Sequence, residues 1–249
     1  MKTFGLIGYR LGYSFSAGYF TEKFKKLDMT DSEYVNFELD AIEDFQSIFS
    51  SDKNIAGLNC TIPYKQGVMR FLDEIDSEAA AVGAVNTIKV VDDKGSIKLI
   101  GYNTDVPGFK NALKPMLSDS HKKALILGTG GASKAIKHVL NQLGISYISA
   151  SIEDALEENE VRYEDLTEEI IAEYTIIINA TPLGTFPNVD QCPNIPYQAI
   201  TSKHVLFDLV YNPEVSLFLQ KGNDKGAKIK NGLEMLHGQA EAAWDIWNR

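Results

Sequence analysis

The sequence is poor in cysteine and histidine and has no long apolar run. Its 249 residues include two cysteines, Cys60 and Cys192, and four histidines. The cysteines match neither a disulfide framework nor a metal-ligand spacing, so the sequence predicts no metal and a reducing, cytoplasmic location. No apolar run reaches the roughly 18–20 residues of a membrane helix, and the N-terminus lacks the apolar stretch of a signal peptide, so no membrane association is expected.

Positive charge is also scarce. The chain has 24 lysines and arginines against 34 acidic residues, which gives a formal net charge of −10 at pH 7. A surface of this sign repels the phosphate backbone, so nucleic acid is not expected as a partner. A small anionic substrate would have to be held by a local site. Apolar residues make up 44% of the chain, a share typical of a folded globular protein.

Short apolar strands alternate with helical patterns along most of the chain. This order predicts an α/β fold with mostly parallel, doubly wound sheets. A domain boundary is predicted near Asp105, because a strand, a glycine-rich turn and a helix begin soon after it. Residues 92–95, Asp-Asp-Lys-Gly, predict a hairpin. The last helix is predicted from about Gly232, and its apolar stripe would contain Leu233, Leu236, Ala240, Ala243, Trp244 and Trp247.

The glycine-rich turn predicts a dinucleotide site. It follows an apolar strand and opens a helix, which is the context that a Rossmann pyrophosphate turn requires. Gly128 would permit the tight turn and Gly130 would let the backbone approach the pyrophosphate, while the first N–H groups of the helix would point at it. A glycine turn without a ligand is the alternative. The predicted cofactor-binding residues of this turn are Gly128, Thr129, Gly130, Gly131, Ala132 and Ser133.

Cofactor choice is usually decided about 20 residues after such a turn, where an acid holds a ribose hydroxyl or an arginine holds a 2′-phosphate. Residues 149–154 are Ser-Ala-Ser-Ile-Glu-Asp, and the next arginine is Arg162. Glu153 or Asp154 could reach a ribose, but both also suit the first turn of a helix. These residues leave the choice between NAD and NADP open.

Lys65 and Asp105 are candidates for proton transfer. Pro63 predicts a helix start that puts Lys65 in the first helical turn, where the macrodipole disfavours a cation by roughly 0.3–1 kcal/mol. Lys65 is therefore either a tolerated surface lysine or a lysine that faces an anion or a reacting hydroxyl in a cleft. Asp105 precedes Pro107 and is either the cap of a helix or the partner of Lys65, whose orientation and pKa it would control.

Other polar residues also have both a structural and a functional interpretation. Ser14 and Ser16 precede a helix, so one of them is an N-cap or the pair holds a carboxylate. In the predicted strand 84–90, Asn86 faces the apolar side, as a core asparagine or as a group that binds a hydroxyl. Gln239 interrupts the apolar stripe of the last helix, as an exposed edge residue or as a polar group in a cleft.

Together these segments resemble the shikimate dehydrogenase family over nearly the whole chain. Besides the glycine turn, the matching segments are Ser14-Phe15-Ser16, Asn59-Cys60-Thr61-Ile62-Pro63-Tyr64-Lys65, Gly83-Ala84-Val85-Asn86-Thr87, Asn103-Thr104-Asp105, Asn179-Ala180-Thr181-Pro182-Leu183-Gly184, Asp208-Leu209-Val210-Tyr211-Asn212-Pro213 and Gly232-Leu233-Glu234-Met235-Leu236-His237-Gly238-Gln239. Many matching motifs in one order are far more specific than any single motif.

The resemblance implies a two-domain oxidoreductase. Residues 1–104, completed by a C-terminal helix at 231–249, would bind substrate, and residues 105–230 would form a Rossmann NAD(P)-binding domain. The reaction implied is the reversible reduction of 3-dehydroshikimate to shikimate, a step in aromatic amino acid (chorismate) biosynthesis, with Lys65 and Asp105 as the catalytic pair. Leu209 and Gly232 would lie beside the nicotinamide. The substrate-binding residues implied are Ser14, Ser16, Asn59, Thr61, Asn86, Tyr211 and Gln239.

Two departures from the family pattern concern the cofactor. Typical members have an Asn-Arg-Thr/Ser segment whose arginine meets the 2′-phosphate of NADP, whereas residues 149–151 here are Ser-Ala-Ser. The region up to about Tyr174 also looks short for a helix, a strand and a second helix. NADP is thus the expected cofactor and NAD a possible one. A quinate/shikimate dehydrogenase that prefers NAD and a catalytically silent binding paralogue are the alternatives; the chain is expected to be a monomer or a homodimer.

Overall fold

The computed structural model describes residues 1–12, 14–51, 54–93, 96–153 and 155–249. The chain divides into two compact units, Met1–Thr104 with Ala240–Arg249, and Asp105–Gln239. Each unit contains its own six-stranded sheet. Among the described residues, no helix has the length and apolar character needed to cross a membrane. The predicted domain bounds, 1–104 with 231–249 and 105–230, stay a prediction.

The first unit is a mixed α/β layer. Its sheet has the strand order β2-β1-β3-β5-β6-β4, in which β1 pairs in parallel with β2 and β3, while β5 is antiparallel to β3 and β6. Short 3₁₀ helices span Ile42–Ser47 and Gly67–Phe71. The elements are β1 (Lys2–Gly8), α1 (Phe15–Lys26), β2 (Ser32–Glu38), α2 (Ile48–Ser51), β3 (Ile55–Cys60), β4 (Glu74–Ile75), α3 (Ser77–Val82), β5 (Thr87–Asp93) and β6 (Ser96–Tyr102).

The second unit has a fully parallel sheet with the strand order β12-β11-β10-β7-β8-β9. This is the doubly wound order, and it reverses between β7 and β10, so a dinucleotide is expected at the carboxyl ends of those two strands. Its elements are α4 (Asp105–Leu113), β7 (Lys123–Leu127), α5 (Gly131–Gln142), β8 (Ser146–Ser151), β9 (Glu160–Arg162), α6 (Glu168–Glu173), β10 (Ile176–Asn179), β11 (Val205–Asp208), α7 (Leu217–Asn223), β12 (Lys228–Lys230) and the first part of α8 (Leu233–Trp247).

An aromatic cluster in the first unit orients a buried tyrosine. Phe20 stacks on Tyr34 with ring centroids 4.8 Å apart and an angle of 10° between the rings, and Trp247 packs 5.1 Å from Phe20. Such pairs contribute about 0.5–1.5 kcal/mol beyond the burial of their area. In this stacked position the Tyr34 hydroxyl donates to Asn59 Oδ1.

One helix prediction was wrong, and another was confirmed only in part. Lys65 does not lie in a helical turn: the segment forms turns until the 3₁₀ helix at Gly67, because the Lys65 carbonyl accepts the Val85 N–H at 2.8 Å. The predicted stripe of α8 is confirmed at Ala240, Ala243 and Trp247, which are buried, but not at Leu233, which begins the helix and is 39% exposed. Residues buried on α8 are Met235, Ala240, Ala243, Ile246 and Trp247.

The strand predictions agree better with the structure, with two differences. The antiparallel pair β5–β6 confirms the strands of the predicted hairpin, but Lys94 and Gly95 of its turn lie outside the described residues. Asn86 precedes β5 rather than lying within it. After β8, no helix occurs in the described residues 152–153 and 155–159, so the proposed helical first turn at Glu153 is wrong and the shortened crossover is confirmed.

Candidate active site and cofactor site

Asn86 is the centre of a buried polar cluster in the first unit. Its side chain is 3% exposed, and its Oδ1 accepts the Thr104 N–H at 2.7 Å and the hydroxyls of Thr104 and Thr87, each at 3.1 Å. The side-chain amide of Asn86 therefore has a structural role, which agrees with its interpretation as a core asparagine. It fixes the backbone immediately before Asp105.

The same cluster reaches β2 and the start of α1. Asn59 donates from Nδ2 to Thr87 Oγ1 at 3.2 Å, and its Oδ1 accepts the Tyr34 hydroxyl at 2.8 Å. Tyr34 is also hydrogen-bonded to Ser16. Burial raises the pKa of Tyr34 above its ordinary value, so this phenol remains a neutral donor. A continuous chain of polar side chains thus connects three predicted substrate residues.

Hydrogen bonds in the first unit connect the segment of Lys65 with the segment that ends at Thr104, the residue before Asp105. The Lys65 carbonyl accepts the N–H of Val85, the residue before Asn86, and Asn86 holds Thr104, the residue before Asp105. Lys65 is half-buried. Asp105 is 7% exposed and is the first residue of α4, where the helix dipole favours a carboxylate.

Ser14 and Thr61 lie in positions with clear local roles. Ser14 is the N-cap of α1, and its Oγ accepts the Ala17 N–H at 3.3 Å, which confirms the capping interpretation for that serine. The Thr61 N–H donates to the Ile7 carbonyl at 2.9 Å, so Thr61 lies directly beyond the ends of β3 and β1. Both side chains are half-buried, and their contact with substrate stays a prediction.

Replacing Asn86 by alanine should destabilise the first unit. The Thr104 N–H would lose its acceptor in a buried place, and the two threonine hydroxyls would lose one acceptor each, at a cost of about 2–3 kcal/mol. Urea unfolding followed by circular dichroism measures this change. Asn36→Ala, at an exposed position of β2, is the matched control and should change the free energy of unfolding by less than about 0.5 kcal/mol. Equal changes in the free energy of unfolding for the two variants would contradict the structural role of Asn86.

The glycine turn has the geometry that a pyrophosphate needs. Gly128 has φ +99°, and a Cβ there would lie 2.9 Å from Thr181 Cγ2, so only glycine fits. A Cβ added at Gly130 or Gly131 meets no atom within 4 Å, so the backbone is open to a ligand on that side. The first N–H groups of α5 have no partner within the helix. The turn therefore fits the phosphates of a dinucleotide.

Ser133 stabilises this turn by hydrogen bonds to its backbone. It is 1% exposed, and both its N–H and its hydroxyl donate to the Gly130 carbonyl, at 2.9 and 2.6 Å. These bonds occupy both donors of Ser133, so the N–H groups of Gly131 and Ala132 are better placed for a direct pyrophosphate contact.

A cavity of about 730 Å³ adjoins the turn within the second unit. Glu153 is one of the lining residues, and its N–H donates to Ser151 Oγ at 3.1 Å, which fixes the chain as it leaves β8. Burial raises the pKa of Tyr163 to about 12, so its phenol is neutral. The lining residues are Gly128, Thr129, Gly130, Ile152, Glu153, Tyr163, Ala180, Thr181, Pro182, Leu183, Cys192, Pro193 and Asn194.

Leu209 and Gly232 form a close backbone contact beyond β11. The Gly232 N–H donates to the Val210 carbonyl at 3.1 Å, and a Cβ on Gly232 would lie 2.2 Å from the Leu209 carbonyl oxygen. Gly232 thus allows the chain to pass against Leu209. Of the other two predicted substrate residues in this unit, Tyr211 is exposed and Gln239 is half-buried.

Comparison with known proteins identifies the family. A family profile described as "Shikimate dehydrogenase substrate binding domain" matches residues 6–88. The shikimate dehydrogenase (NADP(+)) of Clostridium beijerinckii is 40% identical, over 99% of this chain and 92% of the relative. The chain belongs to the shikimate dehydrogenase family.

Solved structures of shikimate dehydrogenases share the fold. The enzyme of Thermus thermophilus, in complex with NADP(H) and shikimate, is 28% identical with a TM-score of 0.84, over 99% of this chain and 93% of that chain. The enzyme of Listeria monocytogenes, in complex with shikimate and NAD, is 29% identical with a TM-score of 0.83, over 100% and 92%. The predicted α/β fold of an N-terminal substrate domain and a Rossmann-like domain is confirmed for this shikimate dehydrogenase family member.

Sequence reasoning misses three members of the polar cluster in this family member. Tyr34 belongs to a predicted strand, and one tyrosine in a strand gives no functional signal. Thr87 and Thr104 could have been predicted, because each adjoins a predicted residue within a matching motif. Thr87 follows Asn86, and Thr104 precedes Asp105. Adjacency inside the motif was the available signal.

Proposed function

We propose that this protein is an NAD(P)H-dependent shikimate dehydrogenase that reversibly reduces 3-dehydroshikimate to shikimate, with Lys65 and Asp105 as its catalytic pair. The names of the curated relatives support the reaction, and one structural observation supports the pair. Hydrogen bonds through Val85 and Asn86 hold the backbone of Lys65 and that of Thr104, next to Asp105, at the same end of β5. We also propose that the enzyme is cytoplasmic and acts as a monomer or a homodimer.

In this proposal the chain supplies position and a proton. The bound nicotinamide supplies the hydride chemistry. The Lys65 ammonium delivers a proton to the oxygen of the substrate carbonyl in the reduction, and takes it back in the oxidation. The Asp105 carboxylate keeps that ammonium oriented. No metal is needed for these roles.

The remaining polar residues would hold the substrate. Ser14 and Ser16 would bind its carboxylate, Tyr211 would lie nearby, and the ring hydroxyls would be bound by Asn59, Thr61, Asn86 and Gln239. The buried hydrogen bonds of Asn59 and Asn86 support a rigid setting for such contacts, because neither amide can turn without losing a partner.

For the cofactor, we propose that NAD is accepted alongside NADP. Glu153 lines the cavity next to the glycine turn, at the place where a Rossmann acid holds the ribose hydroxyls, and it would repel a 2′-phosphate. The segment 149–151 offers Ser-Ala-Ser where family members have an arginine. Glu153 therefore favours NAD.

Replacing Glu153 by glutamine should shift cofactor preference toward NADP. Loss of about 1–2 kcal/mol of charge repulsion predicts a rise of about 5- to 30-fold in kcat/KM for NADP relative to NAD. Steady-state kinetics with both cofactors measures the ratio. Glu158→Gln removes the same charge from the same crossover, outside the cavity lining described above, and should leave the ratio unchanged. An unchanged ratio in Glu153→Gln would exclude this acid from cofactor selection.

The proposed reaction is tested by following absorbance of the reduced nicotinamide. Purified protein is mixed with shikimate or quinate, and with NADP or NAD, in four parallel assays. The proposal expects shikimate-dependent reduction of both cofactors. Faster turnover of quinate would favour the quinate/shikimate alternative, and binding of shikimate without turnover would favour the silent paralogue.

A further inference from the structure

A buried carboxylate connects the loops that follow β10 and β11. Asn179 ends β10, Asp208 ends β11 and Ser216 is the N-cap of α7, and each is fully buried. Asn179 Nδ2 donates to Asp208 Oδ1 at 2.9 Å, while its Oδ1 accepts the Thr181 N–H at 3.0 Å. The position of the loop after β10 is therefore tied to the Asp208 carboxylate.

Two further donors complete the surroundings of Asp208. The Val210 N–H donates to Oδ1 at 3.0 Å, and the Ser216 hydroxyl donates to Oδ2. Burial raises the pKa of Asp208 to about 6, and the bonds from Ser216, Val210 and Asn179 act in the opposite direction. At neutral pH the carboxylate is therefore mostly ionised, and three directed donors hold its charge.

The backbone that Asp208 fixes lies on one side of the cofactor site. In a doubly wound sheet the dinucleotide crosses the carboxyl ends at the switch point, with its adenosine half toward the strand that precedes the ribose-binding acid, here β8 before the proposed acid Glu153. The other half then extends over β10 and β11. There Val210 accepts the Gly232 N–H, and Gly232 passes against Leu209.

The geometry points to Asp208 as a positioning residue that, through Asn179 and Val210, fixes the backbone under the nicotinamide half of the cofactor. This inference rests on the proposed function for its consequence in turnover. Asp208 exchanges no proton in the reaction. Its effect is on the distance and angle between the nicotinamide and the substrate, where a misplacement of about 1 Å can cost about 100-fold in rate.

Asp208→Asn tests the inference, because it keeps the shape but removes the negative charge and replaces the oxygen that accepts the Ser216 hydroxyl by an NH2 group that cannot accept it. Turnover with shikimate should fall about 10- to 100-fold, and the dissociation constant of NADPH should rise several-fold. The dissociation constant of ADP, a probe of the adenosine half alone, should stay within about twofold, as measured by calorimetry. In the reduction of 3-dehydroshikimate by NADPH deuterated at the transferred position, the primary isotope effect should also increase, because hydride transfer becomes slower.

Ser216→Ala keeps the inference testable if Asp208→Asn does not fold. Its matched control is Thr167→Ala, because both residues are helix N-caps in the same unit, accepting the N–H of Leu219 and Ile170 at 3.3 and 3.4 Å. Only Ser216 also donates to Asp208. Thr167→Ala should lose about 1 kcal/mol of stability, and Ser216→Ala should lose more, because it also removes a donor from the buried Asp208 carboxylate. Only Ser216→Ala should lose turnover, and Ser216→Thr should restore it.

Three results would overturn the positioning role. Turnover of Asp208→Asn within about twofold of the parent would do so, as would loss of ADP binding together with turnover, since Asp208 would then only hold the unit together. Equal turnover in Ser216→Ala and Thr167→Ala is the third. If the parent protein turns over no shikimate, the proposed function fails, while weaker NADPH binding with unchanged ADP binding in Asp208→Asn still supports this inference.

Discussion

Replacing Lys65 by alanine lowers kcat about 10²- to 10⁴-fold in this account, while the dissociation constant of shikimate changes far less. The reason is that a positioned general acid acts on the transition state, where the proton moves, and contributes little to ground-state binding. Lys65 is half-buried and its carbonyl accepts the Val85 N–H, so the side chain that carries the ammonium extends from a fixed backbone. Steady-state kinetics gives kcat, and calorimetry with shikimate gives the dissociation constant.

The control for Lys65→Ala is Lys98→Ala. Lys98 lies in β6 of the same unit and pairs at 2.6 Å with Glu74 at the surface, so its loss should leave kcat unchanged and cost at most about 1 kcal/mol of stability. Equal losses in turnover and in shikimate affinity for Lys65→Ala would argue that the lysine binds the ground state and does not act as the acid.

Replacing Asp105 by asparagine should lower kcat about 10²-fold or more, because the neutral amide no longer holds the ammonium in its productive orientation. The isosteric side chain can still suit the start of α4, so circular dichroism and unfolding should change little. Asp76→Asn is the matched control. Asp76 caps α3 and accepts the Glu78 N–H at 2.9 Å, and its replacement should leave turnover unchanged.

A fall in kcat that is the same in Asp105→Asn and Asp76→Asn would assign both to helix stability. A large fall in shikimate affinity with unchanged kcat would instead make Asp105 a substrate-binding residue.

Local signals sufficed for much of the second unit. The strand before Gly128 and the helix after it were predicted, because glycine chemistry and apolar periodicity both act over a few residues. The shortness of the segment after β8 was also visible, since chain length bounds what it can form. The role of Ser133 was not, because a sequence pattern gives its place in the turn but not which acceptor its hydroxyl takes.

Long-range pairing limited the prediction for the first unit. Lys65 was placed in a helix because Pro63 suggested one, yet a carbonyl bond to Val85, distant in sequence, decided the local conformation. The link between Tyr34 and Asn59 likewise depends on two strands that meet only in the folded sheet. At such places tertiary contacts override the intrinsic helix or strand propensity of the residues.

A double-mutant cycle on Lys65 and Asp105 tests the central claim most directly. If the two side chains act as one proton-transfer unit, Lys65→Ala combined with Asp105→Asn should lower kcat/KM about as much as the more damaging single substitution does. Losses that multiply, so that the double variant falls by the product of the two single factors, would show that these residues act independently and would contradict the account.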